Sequence, residues 1–563
     1  MKSRIILLTY LLFSLVLPVI SQDARTQEGR GRWRAEFAEL KIELDPAQGA
    51  SGLMRGDARL RLRSLGSSAQ NISLDLNHEL TALSVTDEDG RPLSFDRNGA
   101  SLDVHFEKHP PAPDGFTIRV RYKGSFSERV AEIDLLNAWV GPPVSYALTS
   151  GLWYPVISGG DQRSKGTITY LVPKEWVVAS VGQPAAVELL PAGNRCAFTI
   201  DSPMRFSFAA GPFTHLRESI DGLDMGVYFL GGGPEKARYY LRNCAEMVRF
   251  FKEYFGLFPY PGYFVVELPQ ALLGKTGGGS YEGMTFYPTG ALPDRFFSLP
   301  VFGHEIGHLW WGNFVRGTEG PVINEGLAQV SMGLYLEHVL GEKALRNVLK
   351  NGAPEYGLVH SARLYFRAIQ SPKTGDRPFL DLIMRGEDLE LGISDKDKFN
   401  TLHMLANSKG FFAFFMLRDL IGSEAFRQGL RRALQRGAWK TITLEDVRAE
   451  FEKAAGRDLK GFFQQWFFRK GAPEFTMSSA TEAHGKNWLV EGLIIQVRDI
   501  YRVKAEIGFI NGGSRETREI EISERKTAYS FLLPFKPESV IFDPEYKILR
   551  WADEFKFQAS GME

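Results

Sequence analysis

The chain has few cysteines and no excess of charge of either sign. Among its 563 residues, only Cys196 and Cys244 are cysteines. They allow one disulfide or two buried thiols in an exported protein, and they exclude a disulfide framework. Lysine plus arginine and aspartate plus glutamate each number 67. Because no net field attracts the whole molecule to nucleic acid or anionic lipid, we expect no nucleic-acid partner, and ligands must be recognised at a local site.

Long apolar runs are also scarce, and the single one lies at the start of the chain. Residues 5–20 are apolar or small and follow a basic beginning. This pattern is typical of a secretory signal peptide, which we place at 1–21, followed by a flexible N-terminus at 22–34. An uncleaved membrane anchor is the alternative, because the length of the run is close to the shortest that spans a bilayer. The expected location is therefore periplasmic or extracellular, without stable membrane insertion after signal removal.

Hydrophobic periodicity divides the remaining residues into three regions of a multi-domain α+β protein. Residues 35–216 alternate between apolar and polar in short segments separated by turn residues, which predicts an antiparallel β domain. Residues 217–473 are predicted to be mostly helical, and residues 474–563 alternate again and predict a small β-sandwich. Clear helical periodicity covers 237–254, 328–339, 410–420 and 444–455.

Histidine is scarce as well, yet two of the ten histidines occur in a His-Glu-Ile-Gly-His motif at residues 304–308. Residues four apart share one face of a helix, so His304 and His308 can present two imidazoles to one metal ion while Glu305 reaches the same site. Chance is the alternative explanation for so short a pattern. The apolar flanks argue against it, because two unpaired imidazoles in a buried helix would be costly.

A catalytic zinc ion usually takes three protein ligands and leaves the fourth position to water. The candidate third ligand is Glu325, 17 positions after His308, at the start of the next apolar-periodic segment. A helix N-terminal acid stabilised by the dipole is the alternative, and Glu319 is the rival acid in the connecting segment. Glu305 is then placed to take a proton from water and pass it to a leaving amine. The pattern predicts one zinc ion per chain and metal-assisted hydrolysis of a peptide bond.

These segments, with one upstream, resemble the aminopeptidase N and leukotriene-hydrolase family of gluzincin peptidases. The segments that carry the resemblance are 279–284, 304–313 and 324–326, and it extends to 74–93, 255–261 and 466–473. It implies an N-terminal β saddle, a thermolysin-like zinc peptidase catalytic domain over 217–473, and a C-terminal β-sandwich. The helical C-terminal domain of the larger family members is expected to be absent.

The resemblance also implies a substrate-binding strand. In the family, the Glu of a Gly-x-Met-Glu-Asn segment binds the free α-amine of the substrate. The matching residues here begin at Gly279; Glu282 keeps the carboxylate, whereas Tyr281 replaces Met and Gly283 replaces Asn. The implied partners are peptides with a free N-terminus, cleaved at the first peptide bond. A solvated loop acid is the alternative role for Glu282.

The chain departs from the family pattern at two functional positions. Asn407 stands where the family has its transition-state tyrosine, and an Asn can still donate a hydrogen bond to a developing oxyanion. His403, one helical turn earlier, is a second candidate, although a lone His among apolar residues is more often part of the core. Tyr356 and Tyr365 are further candidates for that role. Met332 occupies the position of a family Glu that supports a zinc-bound His.

Two other functions therefore stay open beside the aminopeptidase. One is a zinc endopeptidase of altered specificity, which is favoured if Glu282 does not face the zinc. The other is a catalytically weakened peptide-binding or assembly protein that retains zinc for structure. Glu305 argues against the second, because a purely structural site does not need a carboxylate that is not a ligand. The sequence predicts no oligomeric state.

Overall fold

The computed structural model describes residues 33–47, 51–65, 71–106, 115–131, 133–353, 360–370 and 388–555. The predicted signal peptide lies outside the described residues. Strand Trp33–Asp45 begins inside the segment predicted as a flexible N-terminus. The described residues form two compact units. Among the described residues, the N-terminal unit holds those up to Val248 together with Pro259–Phe297, and the C-terminal unit holds Arg249–Phe258 and those from Ser298 onward.

The N-terminal unit is built on strands whose alternate residues are buried. Strand Leu53–Ser64, for example, buries every second side chain from Met54 to Leu62, as the period of two predicts. It belongs to a seven-stranded sheet with the order Gln183–Leu190, Gly193–Met204, Ser164–Val172, Trp33–Asp45, Leu53–Ser64, Phe116–Gly124 and Leu80–Thr86. Pairing in this sheet is antiparallel except between Trp33–Asp45 and Ser164–Val172.

Smaller sheets complete this unit. One four-stranded sheet has the order Ala138–Trp139, Ser145–Ala147, Phe208–Gly211 and Val177–Ser180, and another has Val156–Ile157, Asn71–Asp75, Ser101–His105 and Ser94–Asn98. A five-stranded sheet has the order Thr214–Ile220, Leu223–Phe229, Gly262–Leu268, Met284–Pro288 and Gly279–Tyr281. Strands Arg129–Val130 and Leu135–Leu136 form a short pair. Cys196 and Cys244 are both buried and free.

Helices dominate the first part of the C-terminal unit. They are Leu299–Gly307, Leu327–Leu340, Glu342–Asn351, Ala362–Gln370, Phe399–Leu405, Phe411–Ile421, Ser423–Arg436, Leu444–Ala455 and Lys460–Trp466. A longer helix, Pro234–Phe255, starts in the N-terminal unit and ends in this one. Its last turns supply Phe251 and Phe255, whose rings pack on Trp310. No helix in the described ranges is long and apolar enough to cross a membrane.

The C-terminal unit ends in two three-stranded sheets. The first contains Phe475–His484, Asn487–Gln496 and Lys526–Leu533, and the second contains Ser514–Ile522, Val503–Asn511 and Ser539–Phe542. Trp466, at the end of the last helix, packs against Tyr501. The order of β-rich, mostly helical and β-rich regions confirms the predicted fold class.

Candidate metal centre

Two glycines let the helix with the histidine motif approach its neighbour closely. We call Leu299–Gly307 the motif helix and Leu327–Leu340 the following helix. A Cβ on Gly303 would lie 3.0 Å from the Cα of Met332, and a Cβ on Gly307 would lie 2.8 Å from the Cβ of Ser331. A side chain at Gly307 would force its neighbours to move, and one at Gly303, a helical turn earlier, would press against the backbone of Met332. The two glycines of the motif helix therefore allow its close packing on the following helix.

The three predicted zinc ligands lie together in the C-terminal unit. Ligand atoms of His304, His308 and Glu325 are within 4.8 Å of one another. The Nε2 atoms of the two histidines are 2.9 Å apart, and they lie 3.4 and 3.5 Å from Oε2 of Glu325. All three side chains are buried. Two imidazole nitrogens and one carboxylate directed at a common point are the donor set of a catalytic zinc site, so these residues fit a zinc ion.

Glu325 lies in a π-helical turn, Val322–Gly326, immediately before the following helix. Its backbone N–H donates to the carbonyl of Pro321 at 2.7 Å. Such wide turns are rare and are frequently found at functional sites. A second π-helical turn, Ala406–Gly410, carries Asn407. The apolar periodicity predicts Glu325 at the start of a helix, and the structure has the wider turn at this position.

Burial and neighbouring charges set the protonation of the ligands. Burial raises the pKa of Glu325, but His403 and His308 lower it more, so that its pKa is well below the usual value. Burial, followed by His308, lowers the pKa of His304 to about 4. For His308, burial lowers the pKa, yet Glu325 outweighs it and the pKa is raised. Without a metal, the carboxylate is therefore ionised and stabilised by its histidine neighbours.

The two histidine ligands differ in the support that their outer nitrogens receive. Nδ1 of His308 lies 2.9 Å from the carbonyl of Trp311, which orients the ring and directs Nε2 to the metal position. Nδ1 of His304 is buried and has no hydrogen-bond partner among the described residues. Met332, at the position where the family has a supporting Glu, is also buried and cannot accept a hydrogen bond of comparable strength.

The structure brings both candidate oxyanion residues to Glu325. Nε2 of His403 lies 3.2 Å from Oε2 of Glu325. The amide of Asn407 donates to the carbonyl of His403 at 3.0 Å and lies 3.4 Å from the same Oε2. Both side chains are buried. His403 thus contacts a predicted metal ligand as well as the core.

The remaining predicted residues of this unit are placed as follows. Glu305 is buried on the motif helix beside His304, and its charge is one of the influences that raise the pKa of His308. The hydroxyl of Tyr365 donates to Asp388 at 2.8 Å, so this tyrosine is engaged elsewhere. Tyr356, the other tyrosine considered, lies outside the described residues.

Sequence reasoning missed His360. Its imidazole is buried, and Nδ1 has no hydrogen-bond partner within the described part of the chain. Burial, followed by the charges of His403 and His304, lowers its pKa to about 3, which places it within electrostatic range of the metal ligands. No sequence spacing connects His360 to residues 304–308. The scarcity of histidine was the only signal that could have pointed to it.

The predicted substrate-binding strand lies in the N-terminal unit. Gly279–Tyr281 is the edge strand of the five-stranded sheet and pairs antiparallel with Met284–Pro288. Glu282 and Gly283 form the turn between these strands. Gly283 has φ of 76°, a conformation that glycine and asparagine tolerate best, so both Gly here and Asn in the family suit this turn. Tyr281 is buried, with its ring edge against Phe286.

Glu282 is bound on both carboxylate oxygens by one residue of the same unit. The backbone N–H of Arg205 donates to Oε2 at 2.8 Å, and the side-chain Nε of Arg205 donates to Oε1 at 2.7 Å. Glu282 is only 1% exposed, so it is not the solvated loop acid considered as an alternative. Arg205 precedes Glu282 by 77 residues, and no pattern in the sequence connects them.

Comparisons with known proteins agree with this architecture. Residues 239–466 match the peptidase family M1 domain. Aminopeptidase M1-A of Oryza sativa subsp. japonica is 22% identical over 54% of the chain and 34% of its own length. Aminopeptidase N of Caulobacter vibrioides is 24% identical over 80% of the chain and 51% of its own length. The chain thus spans about half or less of the length of these relatives.

Two solved structures share the fold. Aminopeptidase A of Legionella pneumophila in complex with aspartic acid has a TM-score of 0.67 at 17% identity and covers 95% of this chain and 61% of its own. A mutant M1 zinc metallopeptidase of Deinococcus radiodurans, bound to a Tyr-Ser-Ala substrate, has a TM-score of 0.60 at 16% identity, covering 78% and 95%. The chain is therefore similar to peptidase family M1 over residues 239–466, and the buried group of His304, His308 and Glu325 agrees with that similarity.

Proposed function

We propose that the protein is an exported zinc-dependent aminopeptidase that hydrolyses the N-terminal peptide bond of peptides. The observation that carries this proposal is the buried group of His304, His308 and Glu325 with Glu305 on the same helix. Export is proposed from the sequence of residues 1–21 alone. The proposed partners are peptides with a free N-terminus.

The chemistry divides between the metal and the side chains around it. A zinc ion, when bound, lowers the pKa of water to about 7 and polarises the scissile carbonyl. Glu305 accepts the proton of the attacking water and delivers it to the nitrogen of the leaving amine. His308 is oriented for ligation by its Nδ1 contact with the Trp311 carbonyl. His403, in contact with Oε2 of Glu325, fixes the orientation of that carboxylate.

In this proposal Glu282 binds the α-ammonium group of the substrate and so restricts cleavage to the first residue. Its carboxylate has about four lone-pair positions, of which Arg205 takes two, so acceptor capacity remains for an ammonium group. Asn407 is the proposed donor to the developing oxyanion.

The mechanism is tested by replacing the base and keeping the ligands. Glu305→Gln should retain about one zinc per chain and lose at least about a hundredfold in kcat/KM, because the amide cannot accept the proton. Glu319→Gln is the matched control, since Glu319 caps the backbone N–H of Leu444 and an amide oxygen can do the same. Metal analysis and peptide hydrolysis assays measure both effects. A Glu305→Gln protein as active as its parent would exclude the mechanism.

The position of cleavage is tested with blocked substrates. An aminopeptidase should cleave a peptide with a free N-terminus and leave its N-acetylated form intact, because acetylation removes the charge that Glu282 binds. Equal cleavage of both forms would favour the endopeptidase instead. The comparison needs only product identification by mass spectrometry.

A weakened peptide-binding protein that retains zinc is the second candidate. It is favoured by Asn407 at the tyrosine position and by His304, whose Nδ1 has no hydrogen-bond partner among the described residues. Bound zinc without turnover of any peptide in a broad panel would support it.

A further inference from the structure

The ion pair between Arg205 and Glu282 leaves some of the N–H donors of the arginine without a partner among the described residues. A guanidinium carries five N–H donors in a fixed planar arrangement. In Arg205, Nε binds Glu282, while the terminal nitrogens Nη1 and Nη2 donate no hydrogen bond to the described residues. The side chain is 9% exposed, and neither terminal nitrogen is sealed from solvent. These donors can therefore bind an acceptor that enters from solvent, and a carboxylate would bind them more strongly than water does.

Arg217, another arginine of the same unit, shows the contrast. Its Nε and Nη2 both bind Asp224, and Nη2 also donates to the carbonyl of Gly182. Its guanidinium lies over the ring of Phe264 at 4.6 Å. Arg217 therefore uses both Nε and a terminal nitrogen in hydrogen bonds within the protein. The side chain of Arg205 uses only Nε among the described residues, so its terminal nitrogens can donate to another acceptor.

We propose that Arg205 forms an anion subsite that binds the side-chain carboxylate of an acidic first residue, so that the substrates are peptides beginning with Asp or Glu. This proposal rests on the proposed function, in which Glu282 binds the α-ammonium group. An acidic first residue carries an ammonium group and a carboxylate only a few bonds apart, and the Arg205–Glu282 pair presents the complementary charges. A planar guanidinium and a carboxylate match in shape and form strong charge-assisted hydrogen bonds.

The same arrangement disfavours other first residues. A neutral side chain leaves the donors of Arg205 without a charged acceptor. A lysine or arginine side chain would meet a like charge that Glu282 cannot fully offset, since Glu282 is already paired with Arg205. The expected order of preference is acidic, then neutral, then basic.

The test compares peptides that differ only in Glu or Gln as the first residue. The parent enzyme should show a kcat/KM for the Glu peptide at least about tenfold higher, the usual size of one charge-assisted contact. Arg205→Met should reduce that ratio to about one, and Arg205→Lys should give an intermediate value. Because both peptides are assayed on one preparation, the ratio does not depend on the folded fraction. Arg217→Met is the control and should keep the parental ratio.

Binding to the Glu305→Gln protein separates this inference from the proposed function. One outcome is that the parent protein cleaves no peptide while the Glu305→Gln protein binds the Glu peptide at least about tenfold tighter than the Gln peptide. If Arg205→Met also removes that difference in binding, the anion subsite is supported and the aminopeptidase activity is excluded. If peptides are cleaved without preference for Glu, or if Arg205→Met keeps the preference, the subsite is excluded. Absence of both cleavage and selective binding excludes both proposals.

Discussion

Two residues next to Glu325, His403 and Asn407, are expected to have different roles. His403 lies 3.2 Å from Oε2 of Glu325, and Asn407, which also donates to the backbone carbonyl of His403, lies 3.4 Å from the same oxygen. We expect His403→Gln to weaken zinc binding about tenfold or more, because residues that orient ligands tune affinity. We expect Asn407→Ala to lower kcat about a hundredfold with zinc still bound, because it removes the proposed oxyanion donor.

Chelator competition measures the first effect and kcat at saturating zinc the second. His338→Gln and Asn347→Ala, at exposed positions on helices of the same unit, should leave both quantities unchanged. The assignment of roles is reversed if His403→Gln lowers kcat while zinc affinity stays at the parental value.

His360 should make stability depend on pH. Its pKa is about 3 in the folded protein, mainly because the side chain is buried, and about 6.5 in the unfolded chain. Below pH 6.5 the unfolded chain therefore binds a proton that the folded state excludes, so the free energy of unfolding falls as the pH falls toward 3. The contribution is on the order of 1 kcal/mol per pH unit in that window.

Urea unfolding at pH 7, 6 and 5 in the presence of chelator measures this slope. His360→Gln cannot take up the proton, so its stability should fall less steeply than that of the parent. Parallel slopes would show that His360 is protonated alike in both states.

At the scale of elements, the packing of the motif helix on the following helix depends on glycine. Gly307→Ala places a Cβ 2.8 Å from Ser331 and 3.0 Å from the carbonyl oxygen of Ala328, and backbone cannot give way cheaply. We expect a loss of about 1–3 kcal/mol in the free energy of unfolding, together with weaker zinc binding, because the histidines move with their helix.

Gly461→Ala is the matched control for this substitution. Gly461 also lies in a helix, but a Cβ there meets nothing within 4 Å. Alanine should therefore be neutral or stabilise the protein by up to about 1 kcal/mol through its helix propensity. Chemical denaturation of both variants tests the pair, and an equal loss in both would exclude the contact with the following helix as the cause.

Elements were predictable where one local period was strong. The periodic segments at 237–254, 328–339, 410–420 and 444–455 correspond to helices Pro234–Phe255, Leu327–Leu340, Phe411–Ile421 and Leu444–Ala455. The π-helical turns at Val322–Gly326 and Ala406–Gly410 were not predicted. Such single turns are rare insertions in helices, and no short sequence pattern predicts them.

At the scale of the whole molecule, zinc should stabilise one unit more than the other. Its three ligands all lie in the C-terminal unit, so binding is linked to the folding of that unit. At free zinc of 100 times its dissociation constant, the gain is about 2.7 kcal/mol. Chelation should lower Tm and speed hydrogen exchange in residues 298–340, with little change in strands such as Leu53–Ser64.

Glu325→Gln supplies the control for chelation. This variant lacks one ligand, so chelator should change its Tm little. A loss of Tm equal to that of the parent would mean that the chelator acts elsewhere, and faster exchange throughout the seven-stranded sheet would contradict the assignment of zinc to one unit.

The sequence by itself determined the parts that depend on local spacing. His304 and His308 are four residues apart on one helix, Glu305 follows the first of them, and alternation marks the strands, so the paired imidazoles, the carboxylate beside them and the fold class were predictable. The tertiary structure decided which other side chains lie next to these residues. It brought His403 and Asn407 to Glu325, placed His360 within range of the ligands, and joined Arg205 to Glu282 across 77 residues. Contacts between distant segments arise from packing of whole elements, which no local period specifies.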